Sequence, residues 1–271
     1  MAIKMIAVDL DGTLLNSGKR ISSETLRTLQ AAHGQGIKIV LASGRPLSGV
    51  LPFDEEIGLK GEDEYAVVFN GAVVQDLAGN VMMSQKLDYR DFETLLRFQR
   101  LSHVNLHFET TECFYTLDRD LCVQLLISAA MTDNELKVRE RSDIPKDFIF
   151  NKAVFTCDQN SDQIGKLWAS LPDWAFQSYD IVRSLDNCIE LNAIGASKGN
   201  ALMELADRLK ISQSNVMVFG DQGNDISMFD NPEFKKIAMG NAIEDIKQRA
   251  DYVTDDNDHN GIAKALKKFV L

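Results

Sequence analysis

Two carboxylates, Asp9 and Asp11, stand two residues apart directly after the apolar run Ile3–Val8. The run predicts a buried strand, and open α/β sheets bind their ligands at the carboxyl ends of their strands. Two negative charges held this close are unfavourable unless a proton or a cation offsets them. Gly12 permits a sharp turn and Thr13 adds a hydroxyl group. The segment therefore predicts a loop that surrounds something small and charged, with a metal ion as the first candidate.

A second acidic loop has the same design as the first. Asp221 and Asp225 follow the apolar run Val216–Phe219, and Ser43 follows another apolar run, Ile37–Ala42. Each of these polar residues alone is also a common turn former or helix cap. Because parallel strands that point the same way end at the same edge of a sheet, we expect the three loops to share one site.

The elements around these loops alternate between strand and helix at both ends of the chain. Ser22 or Ser23 is the predicted cap of a helix that ends near Gly34, and a strand follows at once. Such a strand, helix, strand unit is expected to be right-handed with parallel strands. Ser197 is the predicted cap of a later amphipathic helix. The predicted fold class is α/β, with a doubly wound, Rossmann-like core built on a parallel sheet.

The middle of the chain has a different style, with helices and short strands that resemble an α+β layer. This block contains both tryptophans and all four cysteines but no glycine-rich loop and no tight acidic cluster. We predict an inserted α+β cap domain at residues 84–190, within a catalytic core formed by residues 1–83 and 191–271. We interpret the cap as a module that covers the substrate, with candidate hinges near residues 84 and 190.

Composition and charge limit the function classes. The chain has 271 residues, of which 45% are hydrophobic, so it can bury a real core. A formal net charge of -11 disfavours nucleic acid and anionic membrane as partners. The cysteines lack any C-x-x-C pair and are expected to be buried free thiols. No signal peptide pattern is present, and no apolar stretch approaches the roughly 20 residues that span a bilayer, so we expect a cytoplasmic protein.

Four motifs in the chain resemble the ordered motifs of the haloacid dehalogenase superfamily of phosphohydrolases. They are Asp9-x-Asp11-Gly12-Thr13, the strand-end Ser43, Lys198, and Gly220-Asp221-x-x-Asn224-Asp225. The long insertion after the second motif is similar to the Cof-type subfamily with its large α/β cap. The phrases that carry this second likeness are Asn70-Gly71-Ala72 and Ser197-Lys198-Gly199.

The resemblance implies a Mg²⁺-dependent phosphatase. Asp9 would attack phosphorus to form an aspartyl-phosphate, and Asp11 would protonate the leaving group and then activate water. The Asp9 carboxylate, the Asp11 backbone carbonyl and Asp221 would bind Mg²⁺, and Asp225 would be an auxiliary carboxylate beside it. The expected phosphate-binding groups are Ser43, the Gly44 amide, Lys198 and Asn224. Arg45 receives no role.

The expected substrate is a small phosphorylated metabolite, with sugar phosphates as the leading class, and the oligomeric state stays open. One alternative is a phosphotransferase, such as a phosphomutase, that passes the phosphoryl group from Asp9 to a second sugar hydroxyl. Another is a non-catalytic sensor that binds phosphate or Mg²⁺ through the same loops. A dehalogenase is disfavoured, because Asp11, Lys198 and the second acidic loop together predict a phosphate and metal site.

One further motif resembles a different kind of site. Asp256-x-Asp258-x-Asn260-Gly261 matches the opening of a calcium loop, but Lys267 stands where a bidentate glutamate should close it. We interpret the motif as a turn before the last helix. The four histidines are scattered and predict no metal site or triad. The aromatic residues of the middle block are expected in its core: Phe108, Phe114, Tyr115, Trp168 and Trp174.

Overall fold

The computed structural model describes residues 2–158 and 162–271. The chain divides into two compact units. The core unit contains the residues up to Met83 together with Ser197–Leu271, and the inserted unit is Ser84–Ala196. The sequence placed the second boundary after residue 190, but this position lies inside a strand, Cys188–Ala193, that belongs to the inserted unit.

The described residues form the following strands and helices. The strands are β1 (Met5–Val8), β2 (Lys38–Ala42), β3 (Tyr65–Val68), β4 (Val73–Asp76), β5 (Val81–Ser84), β6 (Asn105–Glu109), β7 (Cys113–Thr116), β8 (Glu135–Val138), β9 (Lys152–Thr156), β10 (Tyr179–Leu185), β11 (Cys188–Ala193), β12 (Val216–Gly220), β13 (Lys235–Ala238) and β14 (Tyr252–Val253). The helices are α1 (Ser23–Gly34), α2 (Leu51–Ile57), α3 (Tyr89–Gln99), α4 (Val123–Met131), α5 (Gln163–Ser170), α6 (Ala175–Ser178), α7 (Lys198–Arg208), α8 (Ile226–Asp230), α9 (Glu244–Arg249) and α10 (Gly261–Phe269).

The sheet of the core unit has the strand order β14-β13-β12-β1-β2-β3-β4-β5. Neighbours from β14 to β3 are parallel, and β3 pairs with β4 antiparallel. Strands β2 to β5 follow β1 towards one edge of the sheet, and β13 and β14 follow β12 towards the other edge. The direction of the strand order therefore reverses between β1 and β12. Ligands of open α/β sheets bind at such a switch point. The predicted doubly wound α/β fold is confirmed.

Local sequence explains why the central strands lie where they do. Met5–Val8 and Val216–Gly220 are buried along their whole length, as parallel strands covered on both faces should be. Val8 pairs with Phe219 on one side and Leu41 on the other. The loops after β1, β2 and β12 therefore begin at the same level of one sheet edge.

The predicted helix caps are also confirmed. The Ser22 hydroxyl oxygen accepts a hydrogen bond from the Thr25 backbone N–H at the start of α1. The Ser197 hydroxyl oxygen accepts one from the Asn200 backbone N–H at the start of α7. These bonds satisfy N–H groups that have no partner within a helix, and the cap at Ser197 fixes where Lys198 begins α7.

The sheet of the inserted unit has the order β10-β11-β9-β6-β7-β8 and is antiparallel except for the β7–β8 pair. Phe108 and Phe155 belong to an apolar cluster that also includes side chains of α3 and α5. All four cysteines are buried free thiols, as expected. Trp174 is 47% exposed, so the prediction that it is a core residue is wrong.

Sequence patterns missed the helices α2 and α8 and the strands β8, β10 and β14. Helix α2 has only seven residues, and a carboxylate, Asp54, lies fully buried on the side where an apolar residue would have marked the helix. Strand β10 lies at the edge of its sheet and ends at Leu185, which is 52% exposed. None of the helices in the described part of the chain is long and apolar enough to cross a membrane.

Candidate active site

The loop after β1 is closed against the loop after β12. The Asp9 backbone N–H donates to the Phe219 carbonyl oxygen at 3.1 Å, and the Thr13 hydroxyl donates to Oδ1 of Asp221 at 2.9 Å. Gly12 has a φ of +87°, and a Cβ there would lie 2.5 Å from Oδ2 of Asp221. Only glycine allows this approach without strain. The first acidic loop is therefore shaped to bring Asp9 and Asp221 to one place.

Lys198 joins this pair of loops from the first turn of α7. Its side chain is fully buried, and its Nζ donates to Oδ1 of Asp9 at 2.6 Å and to Oδ1 of Asp225 at 2.7 Å. Burial alone would lower the pKa of Lys198, but the charges of Asp225 and Asp9 raise it above its ordinary value. Lys198 is therefore a charged group, although it stands at a helix end that disfavours a cation.

Asp225 has two functions in this arrangement. One of its oxygens, Oδ1, binds Lys198, while Oδ2 accepts hydrogen bonds from the backbone N–H groups of Asp221 at 2.8 Å and Gln222 at 3.1 Å. The carboxylate thus closes the short turn that presents Asp221. Asp225 is fully buried, so these bonds are screened little by water.

Asp9, Asp221 and Asp225 each offer one carboxylate oxygen, and these oxygens lie within 4.8 Å of one another. Burial first, and then the charge of Asp225, raises the pKa of Asp9 well above its ordinary value, although Lys198 acts in the opposite direction. Burial and the same Asp225 charge raise the pKa of Asp221 to about 7. The charge of Asp225 therefore makes ionisation of both Asp9 and Asp221 harder.

The charge of this cluster indicates what it can bind. Three ionised carboxylates carry three negative charges, and Lys198 returns one positive charge, which leaves a formal charge of two minus in a buried site. All the candidate donors are oxygen atoms, the set that hard divalent cations such as Mg²⁺ prefer. The residues present therefore fit a divalent cation. Among the residues that the structure describes, no other three His, Cys, Asp or Glu side chains converge in this way.

The Asp11 side chain lies outside this group and binds two cations. Arg45 donates from Nε to Oδ2 at 2.9 Å and from Nη2 to Oδ1 at 2.8 Å, and Lys19 Nζ donates to Oδ1 at 2.9 Å. Partial burial would raise the pKa of Asp11, but the hydrogen bonds and charges of Arg45 and Lys19 lower it below its ordinary value. Sequence analysis assigns no role to Arg45, and the structure shows that it makes this two-bond contact with Asp11.

The predicted phosphate-binding residues after β2 lie in one bend at the same sheet edge. Ser43 is buried, and its hydroxyl oxygen accepts a hydrogen bond from the Arg45 backbone N–H at 3.2 Å, with Gly44 between them. Asn224 belongs to the turn after β12, and its Nδ2 donates to Oδ1 of Asn70 at 3.4 Å, a long hydrogen bond.

Asn241 is a site residue that the sequence reasoning missed. Its Nδ2 donates to the Gly12 carbonyl oxygen at 2.8 Å and lies 3.4 Å from Oδ2 of Asp221. A signal for it was available, because Gly240 and Asn241 follow the short apolar run Ile237–Met239, which begins in β13, in the way that the other polar loops follow their apolar runs. Lys19 offered no such signal, since it reaches Asp11 from an irregular turn with a left-handed backbone (φ +56°).

Comparisons with known proteins show the family of the chain. A family model for haloacid dehalogenase-like hydrolases matches residues 6–266. The chain belongs to this family. Among its relatives, the phosphatase YwpJ of Bacillus subtilis is 32% identical over 293 residues, which cover 98% of this chain and 99% of that protein. The 5-amino-6-(5-phospho-D-ribitylamino)uracil phosphatase YcsE of the same species is 28% identical, and the alignment covers 99% of this chain and 96% of that protein.

Solved structures of the family give the same result. A haloacid dehalogenase-like hydrolase from Bacteroides thetaiotaomicron has a TM-score of 0.85 and 28% identity, covering 98% of this chain and 99% of that chain. The predicted membership of the haloacid dehalogenase superfamily, in its Cof-type phosphatase branch, is confirmed. The chain is a phosphatase of this family.

Proposed function

We propose that this haloacid dehalogenase-like phosphatase is Mg²⁺-dependent and hydrolyses small phosphorylated metabolites, sugar phosphates among them, through an aspartyl-phosphate. The observation that carries the proposal is the buried cluster of Asp9, Asp221, Asp225 and Lys198 at the switch point of the sheet. A carboxylate nucleophile and an anionic ester repel each other. A site with excess buried negative charge and only oxygen donors suits the divalent cation that would remove this repulsion.

In this scheme Asp9 is the nucleophile. One carboxylate oxygen of Asp9 forms the bond to phosphorus while the ester P–O bond breaks, and the leaving alkoxide takes a proton from Asp11. Water, deprotonated by Asp11, then cleaves the aspartyl-phosphate. Lys198 opposes the rise in the pKa of Asp9 that burial causes, and so favours the ionised form that the nucleophile requires. Asp9, Asp221 and the Asp11 carbonyl would hold Mg²⁺, which would neutralise charge between nucleophile and ester.

Charge on the transferring phosphoryl oxygens requires fixed donors. We assign this role to Ser43, the Gly44 amide, Lys198 and Asn224. Asp225 supports the site by holding Lys198 and the turn that presents Asp221. Lys198 is therefore expected to serve both the nucleophile and the phosphate.

The acid role and the base role of Asp11 require different charge states of its carboxyl group, and its ion pairs favour only one of them. Paired with Arg45 and Lys19, Asp11 is an ionised carboxylate, which suits the base that activates water. The acid that protonates the leaving group must carry a proton instead. We infer that Asp11 separates from Arg45 before the first step and pairs with it again before the second.

Two observations support a small phosphorylated substrate. The relative YcsE is named for its action on a phosphorylated ribityl compound. The chain carries a net charge of -11, so an anionic substrate needs local cations to overcome the overall field. Lys198 and Arg45 supply these cations at the carboxyl edge of the sheet.

A phosphate-ester panel, with and without Mg²⁺, tests the proposal. Wild type should turn over in Mg²⁺ and stop in EDTA, and acid-quenched enzyme should carry a phosphoryl group on Asp9. Asp9→Asn, which has the same shape without the charge, should lose turnover and the phosphoryl group. Asp207→Asn is the matched control, because Asp207 is exposed on α7. Full activity in EDTA, or turnover by Asp9→Asn, would contradict the mechanism, and ligand binding without turnover would favour a sensor.

A further inference from the structure

The motif Asp256-x-Asp258-x-Asn260-Gly261 forms the predicted turn before α10, but one of its acids is not needed for that turn. Oδ1 of Asp256 accepts hydrogen bonds from the backbone N–H groups of Asp258 at 3.0 Å and His259 at 2.9 Å. Asn260 provides the left-handed residue, with a φ of +61°, before the helix begins at Gly261. These contacts account for the shape of the turn, and the Asp258 carboxylate takes no part in them.

The Asp258 carboxylate binds instead to the segment that follows the first acidic loop. Its Oδ1 accepts the Ser17 backbone N–H at 2.8 Å, and its Oδ2 accepts the Ser17 hydroxyl at 2.6 Å. These bonds lower the pKa of Asp258 below its ordinary value. One carboxylate therefore takes both hydrogen-bond donors of one residue, 241 positions away in the chain.

Two neighbouring contacts reinforce this connection. Asn257 Nδ2 donates to the Leu15 carbonyl oxygen at 2.8 Å, and the Ser22 hydroxyl donates to Oδ1 of Asn260 at 2.5 Å. The Asn257 backbone N–H also donates to Oδ1 of Asn241, at 3.2 Å. The 256–260 turn thus contacts the 15–22 segment at three points. It also contacts Asn241, which lies beside Asp221, at one point.

The anchored segment is a tight turn that presents Lys19. The Asn16 backbone N–H donates to the Arg20 carbonyl oxygen at 3.0 Å, and the Lys19 backbone N–H donates to the Asn16 carbonyl oxygen at 2.8 Å. Ser17 lies inside this turn, so fixing Ser17 fixes the backbone of Lys19. Lys19 Nζ in turn binds Asp11.

We propose that Asp258 is a positioning residue of the phosphatase, which clamps Ser17 so that Lys19 is held against Asp11. The inference rests on the proposed function, because it assigns Asp11 the acid and base steps. Asp258 acts through Ser17 and Lys19 and is expected to affect turnover and not the binding of the ester. A displacement of about 1 Å in a catalytic group can lower a rate by up to ~10²-fold.

The test compares Asp258→Ala, Asp258→Asn, Ser17→Ala and the double variant Ser17→Ala/Asp258→Ala in the full chain with Mg²⁺ and an aryl phosphate. Asp258→Ala should lower kcat roughly tenfold with KM little changed. Asp258→Asn keeps one acceptor oxygen and should recover part of the loss. The double variant should be no slower than Asp258→Ala, because both changes remove the same contact.

Hydrogen exchange supplies a readout that does not depend on turnover. The Ser17 amide should exchange about tenfold faster or more in Asp258→Ala than in wild type, since its acceptor is gone. Asp255→Ala is the matched control. Asp255 is a neighbouring exposed carboxylate that pairs with Lys264 on α10, and its removal should leave kcat and the Ser17 amide unchanged.

Two results would overturn the clamp while leaving the phosphatase function in place. One is an active wild type with equal kcat for Asp258→Ala and Asp255→Ala. The other is a double variant whose losses are fully additive. A wild type that fails to turn over any ester in Mg²⁺ would instead refute the proposed function, and the positioning role with it.

Discussion

Replacing Lys198 by Met should destabilise the core unit strongly and in a metal-dependent way. Lys198 Nζ lies between Asp9 and Asp225 without exposure to water, and Met fills a similar volume without the charge. Removing one partner of a buried ion pair costs about 3–5 kcal/mol, because the remaining charge is left buried and uncompensated. The free energy of unfolding should fall by about that amount in EDTA.

A divalent cation and low pH should each reverse part of this loss. Mg²⁺ at 100 times its dissociation constant adds about 2.7 kcal/mol to the stability of the folded state if it does not bind the unfolded chain. The folded-state pKa values of Asp9 and Asp221 are raised, so these groups favour folding most when protonated, below the ordinary pKa of an aspartate. Stability should fall as pH rises towards the raised values, and more steeply once Lys198 is absent.

Urea unfolding followed by far-UV circular dichroism measures this effect, because both tryptophans lie in the inserted unit and would not report on α7. Arg208→Met is the matched control on the same helix, where Arg208 pairs with Glu204 and both side chains are about half exposed. It should change stability little. Equal effects of the two variants, or a Lys198→Met loss that Mg²⁺ does not reduce, would refute the view that Lys198 offsets a buried excess of negative charge.

Three further changes have defined outcomes. Burial raises the pKa of Asp54 well above its ordinary value, so wild type loses stability as pH rises from about 4 towards neutrality. Asp54→Asn should therefore have a larger free energy of unfolding than wild type over that pH range, as measured by urea unfolding at both ends of the range. Gly71→Ala should destabilise far more than Gly58→Ala. Both glycines have φ near +95°, but only at Gly71 would a Cβ meet a backbone oxygen, at 2.2 Å. Arg45→Lys should lower kcat, because an ammonium group cannot reproduce the two-bond contact with Asp11.

Each of these three predictions has a result that would contradict it. An Asp54→Asn variant with the same pH dependence as wild type would mean that Asp54 does not titrate in the folded state. Equal losses at the two glycines would show that backbone strain alone, and not the overlap in front of α7, sets the requirement for Gly71. An Arg45→Lys variant with wild-type kcat would show that a single positive charge is enough at that position.

The parts of the fold that sequence could predict are those with local causes. Asp9 and Asp221 were found because each follows a short, wholly apolar strand, and the pairing of Val8 with Phe219 confirms that both loops begin at one level. The caps of α1 and α7 were found because one serine at a helix start has one partner three residues later. Such patterns can be recognised from a few neighbouring residues.

The parts that could not be predicted depend on residues that meet from distant loops. Arg45 and Asp11 are 34 positions apart, and nothing in the order of residues says which carboxylate a strand-end arginine will bind. Helix α2 was missed because Asp54 is buried where periodicity requires an apolar residue. The motif around Asp258 predicts the turn that the structure shows, but the partner of Asp258, Ser17, is evident only in the folded chain.

The same distinction applies to the charges of the site. A lysine in the first turn of a helix faces the positive end of the helix dipole, which by itself makes that position unfavourable. Lys198 is nevertheless fully buried there, since two carboxylates from other loops bind it at 2.6 and 2.7 Å. Asp225 also holds the turn of Asp221, so one carboxylate links the lysine to the candidate metal-binding residue Asp221. Asp9, Asp221 and Lys198 therefore depend on their charged neighbours for their charge states, and this dependence makes the cluster, more than any single residue, the feature that connects the fold to the proposed phosphoryl transfer.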